Sequence, residues 1–331
     1  MRDPINVLAL VHGIIPLREP GDHRSDYGPF WDALCSARRE LCDFAPPIEV
    51  EWGHPPLSAR GELRADQRLG VAQNEIASRV EYRAVSRHRE QLEEVIPHSR
   101  LHPPTALLTR LLTDPIKEQV ALLGLSDVVY YCSQEGERAL RLAVYGTVLQ
   151  ALDPYRDARE LRLHVFGHSL GVTVAFDFLF GLFAPSEMWV ARQPDFATDP
   201  GVPDALRERY LLWRSRAAEG RLRLGSKSSA ASQLPLLMLR KQKLVDMMTI
   251  PGTRFDASVI GIREDGSPHW LLFYDVDDVL GFPTRPLFAP ERALHEIEVR
   301  TGLEPLSAHL GYWRNVRVQE EVAKLLASRC A

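Results

Sequence analysis

The sequence predicts an α/β fold, in which a mostly parallel β-sheet is flanked by helices. The N-terminal part alternates a buried strand at Ile5–Val11, a helix at Phe30–Leu41 and a short strand at Ile48–Trp52. A third strand, followed directly by a helix, occupies Leu161–Phe183. Because the crossover of a βαβ unit returns the chain across a face of the sheet, these strands should run parallel with helices packed on them.

The most informative segment is Leu161–Phe183, which reads LRLHVFGHSLGVTVAFDFLFGLF. Its first six residues form an apolar run typical of a buried strand, and the pentapeptide Gly167–Gly171 follows without a polar linker. A serine between two glycines at a strand-to-helix turn is the pattern of a nucleophile elbow. Each glycine would lie where a Cβ clashes with the neighbouring strand or helix. The alternative is a tight turn with an idle serine.

Between the first strands and the elbow, the sequence from 55 to 125 has a helical pattern rich in Arg and Glu, with proline breaks. We expect this part to form a helical insertion over the strand ends. Asp127–Cys132 reads DVVYYC and fits a strand or the start of the next helix, since periodicity does not separate the two. Glu137–Leu152 is an amphipathic helix that leads into the elbow strand.

A second insertion is predicted from 185 to 243, with a helix at Ala205–Ala218 and a flexible Ser-rich stretch at Gly225–Ser232. The segment has eleven Arg and Lys against six Asp and Glu, in a chain whose net charge is −4. It is either a helical excursion with a solvated basic face or a lid that contacts an anionic surface such as a lipid membrane. Its apolar run LPLLMLRKQK ends in the basic residues Arg240, Lys241 and Lys243.

The C-terminal part supplies further strands and helices. His269–Tyr274 is a strand candidate, and Leu244–Ile250 is another, with Phe255–Ile262 as its competitor. A helix is predicted over Pro290–Arg300, followed by a loop that carries His309. The terminal helix is predicted over Tyr312–Ala327.

Composition sets broad limits on function and location. The chain has 331 residues, 45% hydrophobic and 25% charged, which is ordinary for a soluble globular protein. A net charge of −4 gives no reason to expect a nucleic-acid partner. No N-terminal signal peptide or apolar run of membrane-spanning length is recognisable, so a cytoplasmic location is predicted. The cysteines show no metal-site spacing and are predicted to be reduced core thiols; they are Cys35, Cys42, Cys132 and Cys330.

Four segments together resemble the α/β-hydrolase superfamily, in its lipase and serine-esterase branch. They are LALVHGI at the first strand, VFGHSLGV at the elbow, FYDVDDVLGFP after a late strand and SAHLGYW before the last helix. The resemblance implies a single α/β-hydrolase domain over 1–331. The segments 55–125 and 185–243 match nothing in the family and are taken as a helical cap or lid. Only four residues precede the first strand, so the sheet is expected to be a reduced version of the family's.

The resemblance also implies a catalytic triad in the chain order serine, acid, histidine. Ser169 would be the nucleophile, and His309, near the C-terminus and after an acidic cluster, would be its base. The acid is one of Asp275, Asp277 and Asp278. Asp278 is preferred because apolar residues and a proline follow it, and Asp275 is the alternative because it is nearer the end of the strand.

An oxyanion hole is expected from two backbone N–H groups. One would be that of Leu170, directly after the nucleophile, and the other that of Ile14, in the loop after the first strand. His12 and Gly13 precede this loop, and His12 is interpreted as a structural histidine. The residues expected to shape the elbow and support it are Gly167, His168, Gly171, His12 and Gly13.

These residues predict a serine hydrolase that cleaves a carboxylic ester through an acyl-serine intermediate, without a metal or organic cofactor. The apolar and basic second insertion suggests a lipid or a long acyl chain as substrate. The same machinery would serve an acyltransferase, a thioesterase or a peptidase. A non-catalytic interaction protein built on the same scaffold is a further alternative. The sequence says nothing about the oligomeric state.

Overall fold

A computed structural model describes most of the chain, and the longest segment outside the described residues is 53–130. Contacts between Cα atoms divide the chain into two units, of which the first comprises Met1–Ile14, Glu19–Trp52 and Arg138–Ala331. The second comprises Ile15–Arg18 and Gly53–Glu137. The predicted insertion from 55 to 125 falls in the second unit, outside the described residues. Those residues are 4–13, 24–50, 52, 131–185, 196–237, 250, 252–265, 268–278, 280–302 and 305–330.

The first unit is built on a six-stranded sheet whose neighbouring strands all run parallel. The mostly parallel α/β architecture predicted from the sequence is therefore confirmed. The strands of this sheet are β1 (Ile5–Val11), β2 (Ile48–Val50), β3 (Leu161–His168), β4 (Leu222–Ala230), β6 (Trp270–Tyr274) and β8 (Leu294–Glu298), and two short strands, β5 (Phe255–Asp256) and β7 (Phe288–Ala289), pair with each other separately. The order across the main sheet is β2-β1-β3-β4-β6-β8.

Helices cover the sheet. They are α1 (Arg24–Ala37), α2 (Gln134–Leu152), α3 (Leu170–Phe183), α4 (Asp204–Ala218), α5 (Leu234–Leu237), α6 (Pro305–Leu310) and α7 (Val316–Ser328). Helices α1 and α7 pack against each other and share one hydrophobic cluster with Leu8 and Leu10 of β1. The alternate residues of β1, Val7 and Ala9, are buried as well. Since successive side chains of a strand point to opposite faces, both faces of this strand are covered.

The strand order reverses between β1 and β3. From β1 the chain moves outward to β2, and later from β3 outward through β4 and β6 to β8. Strands β1 and β3 are neighbours, with Val11 in register with Gly167 at their carboxyl ends. In open parallel sheets, ligands bind in the crevice at such a switch point. The segments that follow Val11 and Gly167 include His12, Gly13 and the elbow serine.

The prediction that the Ser-rich stretch Gly225–Ser232 is flexible is wrong. Most of it belongs to β4, which lies in the sheet between β3 and β6 and is buried along nearly its whole length. Its polar side chains pair across strands: Ser226 Oγ lies 2.8 Å from His164 Nδ1. A Cβ on Gly225 would lie 2.4 Å from the His164 ring, so the small residues are a packing requirement. The part of the predicted insertion from Leu222 to Ala230 thus belongs to the sheet.

The prediction of a helix over Pro290–Arg300 is wrong too, because this segment contains β8. The strand LHEIE pairs with β6, from Trp270 with Leu294 to Tyr274 with Glu298. Its residues favour helix in isolation, and pairing at the sheet edge overrides that preference.

Other sequence-based expectations hold or shift by a few residues. The helices predicted at Glu137–Leu152 and Ala205–Ala218 are present as α2 and α4. The terminal helix begins at Val316, after a 3₁₀ turn at Gly311–Arg314. Phe255–Ile262 forms β5 and a 3₁₀ turn outside the main sheet. Its competitor at 244–250 lies outside the described residues except for Ile250.

Among the described residues, no helix has both the length and the apolar character needed to cross a membrane. The four cysteines form no disulfide. Cys42 and Cys132 are exposed, so the prediction of core thiols is wrong for these two. Cys35 is half-buried, and burial together with the neighbouring Cys42 raises the pKa of its thiol to about 11.

Candidate active site

Ser169 occupies the sharp turn between β3 and α3. Its backbone has φ 55° and ψ −129°, a conformation that a residue with a side chain rarely adopts. The turn is fixed on both sides: Ser169 N donates to Ala230 O at the end of β4 (2.9 Å), and Val172 N donates to Ser169 O (3.0 Å). The strained turn predicted from GHSLG is therefore present in the structure.

The two glycines of the elbow are required by close packing. A Cβ on Gly171 would lie 2.2 Å from His12 O, the carbonyl that follows β1. A Cβ on Gly167 would lie 3.0 Å from Val172 Cα in the first turn of α3. Gly13 faces the serine itself, since its Cβ would lie 2.4 Å from Ser169 Cβ. The backbone after β1 thus approaches the elbow to a distance that only glycine allows.

Ser169, His309 and Asp278 form a hydrogen-bonded line. Ser169 Oγ lies 2.8 Å from His309 Nε2. On the other side of the ring, His309 Nδ1 lies 2.9 Å from Asp278 Oδ1 and 3.1 Å from Oδ2. All three residues are buried. Because an ionised carboxylate only accepts hydrogen bonds, the ring proton is on Nδ1, which leaves the Nε2 lone pair to accept the serine hydroxyl proton.

Asp278 is held from several sides. Leu280 N donates to its Oδ1 at 2.9 Å, and the hydroxyl of Tyr312 donates to its Oδ2 at 3.2 Å. Burial and the adjacent Asp278 charge raise the pKa of Tyr312 above its usual value, so the phenol remains a hydrogen-bond donor. These donors fix the carboxylate in the orientation that faces the imidazole of His309.

The alternative acid, Asp275, points elsewhere. Its carboxylate accepts from the backbone N of Asp277 (2.9 Å) and from the backbone N of Thr301 (2.6 Å). Burial opposes the charged form, but these hydrogen bonds, with one from the Thr301 hydroxyl, outweigh it and lower the pKa of Asp275. The Thr301 hydroxyl also lies 2.5 Å from Ala308 O, so Asp275 braces the turn before His309. Asp277 is exposed.

His309 lies at the end of α6, where the sequence predicted a loop. Its backbone is attached to the elbow by His168, whose Nε2 lies 2.7 Å from His309 O. A carbonyl only accepts hydrogen bonds, so His168 carries its proton on Nε2. Burial lowers the pKa of His168 to about 3, and the nearby His309 acts in the same direction. The residue between Gly167 and Ser169 is therefore neutral and positions His309 next to Ser169.

His12 and Gly13, predicted to support an oxyanion hole, lie beside the elbow. His12 N donates to the Tyr27 hydroxyl (2.9 Å), and Trp52 Nε1 donates to His12 O (2.9 Å). The His12 ring stacks on Trp52 with centroids 5.2 Å apart, consistent with a structural role. Leu170 begins α3, where first-turn N–H groups have no acceptor within the helix. The second predicted donor, Ile14, lies outside the described residues.

No protein-family model, curated protein or solved structure matches this chain. The chemistry of the site therefore has to follow from its own geometry. Within the described ranges, no group of three or more His, Cys, Asp or Glu side chains is arranged to hold a metal ion. The basic residues Arg240, Lys241 and Lys243 of the predicted lid lie outside those ranges.

One residue of the site was not predicted from the sequence. Gln233 follows β4, is 5% exposed and places its Nε2 3.3 Å from Ser169 Oγ. The sequence does not point to Gln233 because the Gly- and Ser-rich residues before it are typical of a flexible loop. Recognising LRLGSKSSA as a buried strand would have put Gln233 at the carboxyl end of a strand, where the functional residues of parallel sheets collect.

Proposed function

We propose that this chain is a serine hydrolase of the α/β-hydrolase type that cleaves a carboxylic ester through an acyl-serine intermediate. The observation that carries the proposal is the hydrogen-bonded line from Ser169 Oγ through His309 to Asp278. Serine is a weak nucleophile at neutral pH and needs a base within hydrogen-bond reach and a group that orients this base. The Ser169 Oγ–His309 Nε2 distance of 2.8 Å and the His309 Nδ1–Asp278 Oδ1 distance of 2.9 Å correspond to these two contacts.

In the first half of the reaction, Ser169 Oγ attacks the carbonyl carbon of the ester as its proton passes to His309 Nε2. The imidazolium that forms is balanced by Asp278, which already accepts the Nδ1 hydrogen bond. The carbonyl π electrons move onto the oxygen and give a tetrahedral intermediate. When this collapses, the bond to the alcohol oxygen breaks, and His309 returns the proton to the departing alcohol.

In the second half, water attacks the acyl-serine and gives its proton to His309 Nε2. Collapse of the second tetrahedral intermediate releases the carboxylic acid and restores the Ser169 hydroxyl. Negative charge develops on the carbonyl oxygen in both halves and is stabilised by fixed N–H donors. We assign the N–H of Leu170 to this role, with that of Ile14 as its partner in the same proposal.

Apolar side chains that follow the acid and the base in the chain are partly exposed. Leu280 and Phe282 follow Asp278 in the same loop and are 36% and 38% exposed, and Leu310 follows His309 and is 41% exposed. Burying such side chains against an acyl chain would be favourable, at about 25 cal/mol per Å² of apolar surface. These residues support an ester with an apolar acyl group as the substrate class.

Covalent labelling with a fluorophosphonate probe tests the proposal, because the probe reacts with a serine only when its base is in place. The wild type should be labelled and Ser169→Ala should not. Ser215→Ala removes an exposed serine of α4 and should be labelled like the wild type. A wild type that resists labelling, or a Ser169→Ala variant that still labels, would show that Ser169 is not an activated nucleophile.

A further inference from the structure

In the side-chain amide of Gln233, Nε2 has a hydrogen-bond partner, whereas Oε1 has none among the described residues. The residue is 5% exposed, and its Nε2 faces the nucleophile, Ser169 Oγ, at 3.3 Å. Its Oε1 is buried and has no hydrogen-bond partner among the described residues. A buried acceptor without a partner is destabilising, so an acceptor of this kind beside a nucleophile calls for an explanation.

The hydrogen-bond chain of the triad fixes which way the amide points. Asp278 accepts from His309 Nδ1, so His309 Nε2 accepts the single hydroxyl proton of Ser169. Among the described residues, the other polar contact of Ser169 Oγ is with the Gln233 amide, and it has to be a donor, which is the NH₂ group of that amide. The carbonyl oxygen, Oε1, is therefore the end that is left for another donor.

The backbone around Gln233 is fixed on both sides. Ala231, two residues earlier, has φ 53°, and Ser232 O accepts from Phe282 N in the acid loop (2.9 Å). Gln233 O accepts from Leu237 N at 3.0 Å, closing the single turn of α5. The turn that carries the Gln233 amide is thus held in place on both sides. A group that selects among substrates needs a fixed position of this kind.

The position of Oε1 is close enough to contact a bound acyl group. The N and O atoms of a carboxamide are each bonded to one carbon, at about 1.33 and 1.23 Å. With Nε2 3.3 Å from Ser169 Oγ, Oε1 lies within about 6 Å of the atom that attacks the carbonyl. A donor attached one or two bonds from the scissile carbonyl carbon can reach this distance range.

Resting on the proposed hydrolase function, we propose that Gln233 selects the substrate. Its Nε2 holds the oxygen of the nucleophile, and its Oε1 accepts a hydrogen bond from an N–H or O–H group next to the scissile carbonyl. The preferred substrates are then esters whose acyl part carries such a donor, as in N-acylamino or hydroxy acids. An acyl group of plain hydrocarbon leaves Oε1 unpaired and is processed less efficiently.

A matched pair of esters tests the selection. We would compare kcat/KM for the 4-nitrophenyl esters of N-acetylalanine and of N-acetyl-N-methylalanine, which differ by one N–H group. The ratio of the two values should be at least about tenfold lower in Gln233→Met than in the wild type, because methionine keeps the length and removes the acceptor. Comparing ratios cancels the intrinsic effect of the added methyl group. Gln319→Met, on α7, is the control and should keep the wild-type ratio.

A second variant separates the two ends of the amide. Gln233→Glu keeps an acceptor and loses the donor to Ser169, so it should retain the preference for the N–H ester while reacting more slowly with the fluorophosphonate probe. Should Gln233→Met not fold, Gln233→Leu, which also removes the acceptor, takes its place in the comparison of ester ratios. Equal ratios in the wild type and Gln233→Met, or loss of the preference in a folded Gln233→Glu, would overturn the role of Gln233.

The failure of this inference is distinguishable from failure of the hydrolase proposal. Labelling of Ser169 together with an ester ratio that Gln233→Met leaves unchanged rejects the selection and leaves the nucleophile intact. A labelled wild type that hydrolyses neither ester rejects the selection as well. A wild type that the probe does not label rejects the hydrolase, and the role of Gln233 with it.

Discussion

Replacing Lys227 by methionine should flatten the rise in stability that we expect for this protein as the pH increases above 7. Lys227 lies in β4 with no exposed surface, and its Nζ donates to Ser229 Oγ at 2.7 Å. The ammonium lies 4.7 Å from the centre of the Trp270 ring, and no described carboxylate pairs with it. Burial lowers the pKa of this lysine from 10.5 to about 7.

The size and sign of the effect follow from this lowered pKa. Between pH 7 and 10.5 the unfolded chain binds a proton that the folded chain does not, so raising the pH favours the folded state. The slope is about 1.4 kcal/mol per pH unit, and the whole interval from about 7 to 10.5 amounts to roughly 5 kcal/mol. This stabilisation is complete above 10.5 and is lost as the pH falls to 7.

Urea unfolding followed by tryptophan fluorescence at pH 7, 8 and 9 measures the slope. For Lys227→Met, the free energy of unfolding should rise less steeply than in the wild type, by about 1.4 kcal/mol per pH unit. The control is Lys324→Met, because this lysine of α7 is 68% exposed in its side chain and should keep the wild-type slope. Equal slopes for wild type and Lys227→Met would show that Lys227 stays protonated in the fold.

Two further comparisons test the site and its packing. Asp278→Asn should lower kcat for ester hydrolysis by about 10³–10⁴-fold. Asp275→Asn should keep kcat within about tenfold of the wild type and lower the free energy of unfolding by about 1–3 kcal/mol. The opposite ranking of the two activities would reject Asp278 as the acid. Gly171→Ala should lower the unfolding free energy by about 3 kcal/mol, because its Cβ would lie 2.2 Å from a carbonyl oxygen. Gly28→Ala, in α1 with nothing within 4 Å of its Cβ, should raise it by about 0.5–1 kcal/mol. A fully stable Gly171→Ala would contradict the close approach.

The elbow could be predicted from the sequence because its requirements are local. The strand and helix flanking Ser169 are marked by mostly apolar runs, and Gly167 is dictated by its contact with Val172 in the same turn. The contact that dictates Gly171 is with His12 O after β1, so the motif itself, and not its local packing, predicts that glycine. The role of His309 could be proposed from the chain order serine, acid, histidine. The helix that carries His309 could not be predicted, because the sequence indicates a loop there. The choice between Asp275 and Asp278 depended on which carboxylate the turn directs at the imidazole. That direction is set by donors as distant in sequence as Thr301 and Tyr312.

Strands β4 and β8 could not be predicted because contacts with the neighbouring strands, more than their own residues, determine that they are extended. In β4, small residues serve the side chains of the adjacent strands, as Ser229 does when it accepts from Trp270 Nε1 at 2.9 Å. In β8, a sequence that favours helix is held extended by pairing with β6. Since Gln233 follows β4, missing the strand meant missing the residue next to Ser169.

The neutrality of His168 has a consequence for the charge balance during catalysis. Its ring centroid lies 5.2 Å from that of His309, and its lowered pKa of about 3 keeps it uncharged at any pH near neutrality. A second positive charge at this distance would oppose the imidazolium by about 3 kcal/mol at an effective dielectric constant of about 20. Because His168 stays uncharged, the proposed proton transfer from Ser169 creates a single cation, already matched by one carboxylate. In the proposed reaction, the pair of adjacent histidines thus acts as one proton acceptor.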